Sequence, residues 1–206
     1  MTDYKFTQDW FHWAPAVWEQ LIPLLPGTPG SREFLEIGSF EGRSMVWIVE
    51  NMMQDGDILG CIDTWEGGEE HNNGEMNGAE ERFDHNLAAV VMKYSDGMGS
   101  RRWVDKYKGT SVQHLAHWLV EKPEDHPSFD FIYIDGSHIA RDVLTDGCMA
   151  WPLLKKGGIM VFDDYMWGEP RDILHRPKPA IDAFVNIFAE EVDMVHMGYQ
   201  LIVRKK

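Results

Sequence analysis

The sequence predicts an α/β fold built on a mostly parallel sheet. The first observation is the stretch Phe129–His138, FDFIYIDGSH, whose Phe131-Ile-Tyr-Ile134 core is apolar on both faces, as a central parallel strand must be. The second is a similar strand, Gly158–Phe162 (GIMVF), with a helical segment between the two. The third is a pair of short strands at the C-terminus, Asp193–His196 and Tyr199–Val203, joined around Gly198 as an antiparallel hairpin. The two long strands end in carboxylates: Asp135 on one, Asp163 and Asp164 on the other. If the strands are neighbours, three carboxylates and the imidazole of His138 meet at their carboxyl ends, where open α/β sheets place ligands.

The remaining elements follow in order. Asp9–Leu25 predicts a helix bearing Trp10, Phe11, Trp13 and Trp18, ended by Pro23, Pro26 and Pro29 with Gly27 and Gly30. Its aromatic residues suit a helix packed on the sheet, a substrate lid or a subunit contact, so a homo-oligomer stays open. Arg32–Ile37 is the first strand and Gly42–Met53 the first helix. Ile58–Ile62 is the second strand, ending in Asp63. Thr64–Glu80 is an acidic, glycine-rich loop holding His71, and Ala79–Tyr94 a helix. Trp103–Tyr107 is the third strand. Thr110 or Ser111 caps a helix running to about Val120. His114 and His117 share a face of that helix but lack a third metal ligand nearby, which makes them surface or packing residues. A helix follows His138 to about Leu154, Lys155–Gly158 is a turn, and Tyr165–Pro179 is irregular and a second candidate lid. Pro179–Glu191 is the last helix. The 206 residues form one domain, with residues 1–30 as a helical extension.

Composition narrows the function. A net charge of −15 opposes a general nucleic-acid binder, and the basic groups Arg101-Arg102, Lys106, Lys108 and Arg204–Lys206 are too small to reverse it. No apolar run reaches membrane-spanning length, and the N-terminus has no apolar core of signal-peptide length. Cys61 lies in a predicted strand and Cys148 on a predicted helix, which is no disulfide framework. The expectation is a reducing, cytoplasmic setting and a small-molecule partner.

The turn Glu36-Ile-Gly38-Ser39-Phe40-Glu41-Gly42-Arg43-Ser44 joins the first strand to its helix. Glycines there let a ligand approach the backbone, and a helix N-terminus favours an anionic group. The Gly-x-x-x-Gly spacing is not the dinucleotide Gly-x-Gly-x-x-Gly, and no Gly-x-x-x-x-Gly-Lys phosphate loop occurs. Asp63, at the end of the second strand, is placed to take ribose hydroxyls. The hard oxygen donors of Asp135, Asp163 and Asp164 suit a divalent cation, and His138 a general base beside it.

Taken together, EIGSFEGRS, CIDTW, GTS, FIYIDGSH and GGIMVFDDY resemble the class I S-adenosylmethionine-dependent methyltransferases. The similarity is strongest to the metal-dependent macrocin and aminocoumarin sugar O-methyltransferase type, and runs from about Arg32 to the C-terminus. The resemblance implies a Rossmann-like three-layer sandwich with a seven-stranded, mostly parallel sheet and an antiparallel C-terminal strand. It implies that Gly38, Ser39 and Ser44, in the turn closed by Gly42, hold the methionine part of S-adenosylmethionine, with Glu36 bracing the turn. Asp63 would take the ribose and Ser111 with its neighbours the adenine, with Asp135 adjoining the cofactor. Asp135, Asp163 and Asp164 would hold Mg²⁺ or Mn²⁺, with His138 as the catalytic base. The acceptor would be a hydroxyl of a sugar or other vicinal diol. Such a transfer is an in-line displacement that needs a positioned, deprotonated nucleophile, and a metal ion and a histidine supply that. Two alternatives are a non-catalytic module that binds the cofactor on the same fold, and a metal-independent N- or carboxyl methyltransferase. The loops 64–80 and 165–179 and the N-terminal segment match no part of the family pattern.

Overall fold

The computed structural model describes residues 3–68, 74–99, 101–121, 128–168 and 172–206. Its seven strands are β1 (Glu33–Ile37), β2 (Ile58–Asp63), β3 (Trp103–Lys108), β4 (Phe129–Ile134), β5 (Leu154–Phe162), β6 (Val192–Met197) and β7 (Leu201–Lys205). They form one sheet in the order β3-β2-β1-β4-β5-β7-β6. All pairings from β3 to β5 are parallel, and β7 runs antiparallel to both β5 and β6. The chain winds outward from β1 in one direction and from β4 in the other. The crevice at the carboxyl ends of β1 and β4 is therefore the topological switch point.

Successive side chains of a strand point to opposite faces, so a parallel sheet needs a cover on each. One face buries Phe34, Cys61, Phe131, Tyr133 and Val161 under Trp18, Met45 and Phe83. The other buries Leu35, Ile62, Ile132, Ile134 and Phe162 under Leu115, Val143 and Phe184. The first cover is made by α1 (Pro15–Trp18), α2 (Arg43–Trp47, continued by a π-helical turn at Ile48–Met52) and α3 (Ala79–Lys93). The second is made by α4 (Ser111–Glu121), α5 (Ala140–Ala150) and α6 (Lys178–Ile187). The expected three-layer, seven-stranded Rossmann-like sandwich is what the chain forms. No helix among the described residues is long and apolar enough to cross a membrane.

The helix expected over Asp9–Leu25 is much shorter. Only α1 is α-helical, with a 3-10 turn at Ile22–Leu24. Residues 3–13 form an irregular strap, because side chains of α2, α3 and the turn before α2 satisfy their backbone. The buried Glu41 carboxylate accepts from Thr7 N and Thr7 Oγ1, both at 2.6 Å. The buried Asn86 amide pairs with Lys5 N and O at 2.7 and 2.8 Å. Arg43 Nε donates to Gln8 O at 3.0 Å. These partners lie 34 to 81 residues away in sequence, beyond the reach of helical periodicity. The terminal hairpin also shifts: β7 begins at Leu201, leaving Tyr199 and Gln200 in the turn. Strand β5 starts at Leu154, with the expected turn absorbed as an irregularity opposite Phe129 and Phe131.

Candidate active site

The turn after β1 is held by carboxylates from below and beside it. Gly38 has φ +87°, and a Cβ there would lie 2.0 Å from the Asp135 carbonyl oxygen. That glycine is required because the chain after β4 passes directly against it. Ser39 N and Phe40 N both donate to Asp63 Oδ2 at 2.8 Å, and Trp65 N donates to Asp63 Oδ1 at 2.7 Å. Asp63 thus ties the ends of β1 and β2 together, while still facing the cavity described below. Glu36 is fully buried behind the turn and accepts from Ser39 Oγ at 2.6 Å. Burial pushes its carboxyl up to about 7; hydrogen bonding from Ser39, Ser44 and Cys61 opposes this, and the Asp63 charge adds to it. Glu36 and Gly42 lie outside the cavity wall, Glu36 bracing the turn from behind and Gly42 closing it. Ser39 and Ser44 are in the wall.

Further along the crevice, Thr110 caps α4 through Oγ1, which accepts from Gln113 N at 3.3 Å, while Gln113 Oε1 accepts from Thr110 N at 3.1 Å. This reciprocal capping box presents Ser111 at the first turn. Ser111 Oγ donates to Asp146 Oδ1 at 2.5 Å. Asp146 is buried, and burial lifts its carboxyl to about 6 against the lowering effect of that hydrogen bond.

At the end of β4 the structure brings Asp135, His138 and Asp164 together, with one ligand atom of each within 4.8 Å of the others. His138 Nε2 lies 2.6 Å from Asp164 Oδ2. Asp163 lies outside that trio, and neighbours of β5 hydrogen-bond its carboxylate. Its Oδ2 accepts from Tyr133 OH and, at 2.9 Å, from Gln200 Nε2, while its Oδ1 accepts from Asp164 N at 2.7 Å. Asp164 turns the other way with φ +54°, and accepts from Tyr199 OH at 2.7 Å. Burial and the charges of Asp163 and Asp164 push Asp135 well above the usual carboxylate range. Burial and Asp164 push Asp163 up to about 6. Crowded carboxylates of this kind are what a cation would relieve, and the donors of Asp135 and Asp164 fit one.

These groups share one cavity of about 1450 Å³. Its wall opposite the sheet comes from the strap: Trp10 stacks on Phe40 with centroids 5.2 Å apart, and Trp13 meets Tyr199 edge-on at 4.8 Å. Trp167 packs on the His138 ring at 4.3 Å, so one end of the 165–179 segment does border the site. Behind the cluster, Trp18 Nε1 donates to Gln200 Oε1 at 2.7 Å, linking α1 to Asp163. Tyr133, Asp146, Tyr199 and Gln200 are site residues that sequence reasoning missed. Tyr133 and Tyr199 read as strand residues, and no spacing pattern marks Asp146. His114 packs on Tyr107 and Trp118 outside the cavity, and His71 lies outside the described residues.

Comparison with known proteins agrees with this geometry. Residues 35–165 match the family model described as a methyltransferase domain. An uncharacterized protein R132 of Acanthamoeba polyphaga mimivirus is 25% identical over 138 residues, which is 64% of this chain and 51% of that protein. The chain therefore spans about half the length of that curated relative. Among solved structures, the O-methyltransferase TomG of Streptomyces achromogenes, in complex with SAM, superposes with a TM-score of 0.63 at 20% identity, covering 93% of this chain and 80% of that one. The O-methyltransferase of Bacillus cereus with SAH gives 0.61 at 17% identity, covering 98% and 84%. MycE methyltransferase from the mycinamycin biosynthetic pathway, with Mg and SAH, gives 0.58 at 15% identity, covering 98% of this chain and 51% of its own. At these identities the structural likeness carries the fold.

Proposed function

We propose, from the premise that this chain belongs to the methyltransferase domain family, that it transfers a methyl group from S-adenosylmethionine to a hydroxyl of a small molecule with two neighbouring oxygens, a sugar or other vicinal diol. The observation that carries this reading is the convergence of Asp135, His138 and Asp164 beside the Gly38–Ser39 turn, in one cavity at the switch point. The turn and Asp63 would bind the methionine and ribose parts of the cofactor, and Ser111 would lie near the adenine. Asp135 and Asp164 would hold Mg²⁺ or Mn²⁺, with Asp163 steadying them through Tyr133 and the Asp164 amide. A divalent ion held there would supply Lewis acidity toward the acceptor hydroxyl.

The chain's own residues supply the rest. His138 is the group we assign to take the acceptor proton, and Asp164, whose Oδ2 lies 2.6 Å from the ring, would stabilise the imidazolium that forms. Trp167 against the ring limits its rotation. Trp10 and Trp13 of the strap offer apolar faces to the acceptor and exclude water from the transfer. The Mg-containing MycE complex supports the metal part of this reading by analogy of fold. The test is Mn²⁺ binding by calorimetry, with turnover measured against a panel of glycosides and catechols. Asp164→Asn is expected to lose Mn²⁺ binding while S-adenosylhomocysteine still binds, and chelator to stop turnover. Undiminished turnover in excess chelator overturns the metal role.

A further inference from the structure

The turn between β6 and β7 reaches the acid cluster with two consecutive side chains. Tyr199 OH donates to Asp164 Oδ1 at 2.7 Å, and Gln200 Nε2 donates to Asp163 Oδ2 at 2.9 Å. Each of the adjacent aspartates thus has its own donor from one turn. Gln200 is fully buried and is itself held by Trp18 Nε1 at 2.7 Å. Tyr199 is 39% exposed and lines the cavity, its ring edge-on to Trp13. Tyr199 also grips the backbone after β5. Its carbonyl oxygen accepts from Met166 N at 3.4 Å, within a turn closed by Trp167 N donating to Asp164 O at 3.0 Å. That turn carries two groups that touch His138: Asp164 Oδ2, at 2.6 Å from Nε2, and the Trp167 ring, at 4.3 Å between centroids.

Asp164 needs such a holder. Its φ of +54° lies in the left-handed region, which a residue with a Cβ adopts at a cost and keeps only where its surroundings fix it. The Asp164 amide is tied to Asp163 Oδ1 at 2.7 Å, which fixes the backbone but not the side chain. The side chain is oriented by what its own oxygens meet, Tyr199 at Oδ1 and His138 at Oδ2. We propose that Tyr199 is a positioning residue of this site: its hydroxyl, by occupying Oδ1, sets the Asp164 side chain so that Oδ2 stays beside His138 and within reach of a cation shared with Asp135. This rests on the metal reading above and adds to it the group that keeps Asp164 and His138 in register. Carboxylates that hold a metal are commonly aimed by a hydrogen bond to the oxygen they do not offer it.

The test uses Tyr199→Phe in the full chain, which keeps the ring against Trp13 and the backbone bond to Met166 and deletes the hydroxyl alone. Mn²⁺ affinity by calorimetry is expected to fall about tenfold to a hundredfold, the usual worth of a partner behind a metal ligand. S-adenosylhomocysteine affinity is expected to match the wild type, because the hydroxyl bonds Asp164 and not the Gly38–Ser39 turn. In the metal-free chain, the ¹⁵N ring signals of His138, assigned by their loss in His138→Ala, are expected to shift in Tyr199→Phe while those of His114 hold. Tyr199→Leu, which removes the ring as well, is expected to lose at least as much Mn²⁺ affinity. Loss of Mn²⁺ affinity in Tyr199→Leu but not in Tyr199→Phe would trace to packing of the ring and overturn the assignment. Equal weakening of Mn²⁺ and S-adenosylhomocysteine in Tyr199→Phe would make Tyr199 a general structural residue and overturn it as well. A wild type that binds no Mn²⁺ would overturn the metal reading; the His138 signals then decide the positioning role alone, and unmoved signals in Tyr199→Phe would overturn it.

Discussion

Glu36→Gln should stabilise the protein at alkaline pH and leave it nearly unchanged in mild acid. Glu36 is wholly buried behind the β1 turn, and its carboxyl rises from the ordinary 4.5 to about 7. In the unfolded chain it loses its proton near 4.5; in the fold it keeps it until about 7. Between those values the folded state binds more protons, so stability falls as pH rises, and the penalty is complete above the folded pKa. At about 1.4 kcal/mol for each tenfold in proton affinity, the cost at pH 8 is about 3 kcal/mol. Glutamine keeps an acceptor for Ser39 Oγ and carries no charge, which removes that share of the pH dependence. Asp135, Asp146 and Asp163 add slopes of the same sign, so the informative quantity is the difference between variant and wild type. Urea denaturation at half-unit steps from pH 5 to 8 measures it. For a chain of this size, about 3 kcal/mol corresponds to roughly 6–12 °C in Tm. A difference curve that stays flat, or one in which the wild type gains on the variant as pH rises, would show that Glu36 is ionised in the fold and refute the reasoning.

Other perturbations separate the parts of the site. Asp63→Ala removes the acceptor for three backbone amides, so S-adenosylhomocysteine affinity should fall by about 1–3 kcal/mol and Tm should fall with it; an unchanged Tm in a thermal scan would contradict the bracing role. His138→Ala should retain S-adenosylhomocysteine binding but lose about 10²–10⁴-fold in kcat, and the acid limb of the pH profile should vanish. Single-turnover kinetics with a wild-type rate and acid limb in that variant would assign the proton to another group. Trp13→Ala, which opens the wall beside Tyr199, should raise KM for the acceptor and leave cofactor affinity within error; an equal loss of both would place Trp13 in general packing.

Much of the fold was legible because its signals are local. The Phe131–Ile134 and Ile159–Phe162 runs are apolar on both faces whatever surrounds them, and they identify central parallel strands before any tertiary contact is known. Placing Asp135, Asp163 and Asp164 at strand ends followed from the same runs, as did the order of helices between strands. The strap was not legible, because its structure comes from Glu41 and Asn86 side chains distant in sequence, and its tryptophans mimic an amphipathic helix. The roles within the acid cluster were hidden as well. Adjacent aspartates carry the same chemistry in sequence, and only the positive φ at Asp164 and the donors Tyr133 and Gln200 turn one toward His138 and the other toward the core. The sequence by itself determined which residue types reach the crevice, since strand periodicity and length are properties of short segments. The tertiary structure alone decided which oxygen of which carboxylate remains available there, because hydrogen-bond partners are allotted by packing between elements far apart in the chain.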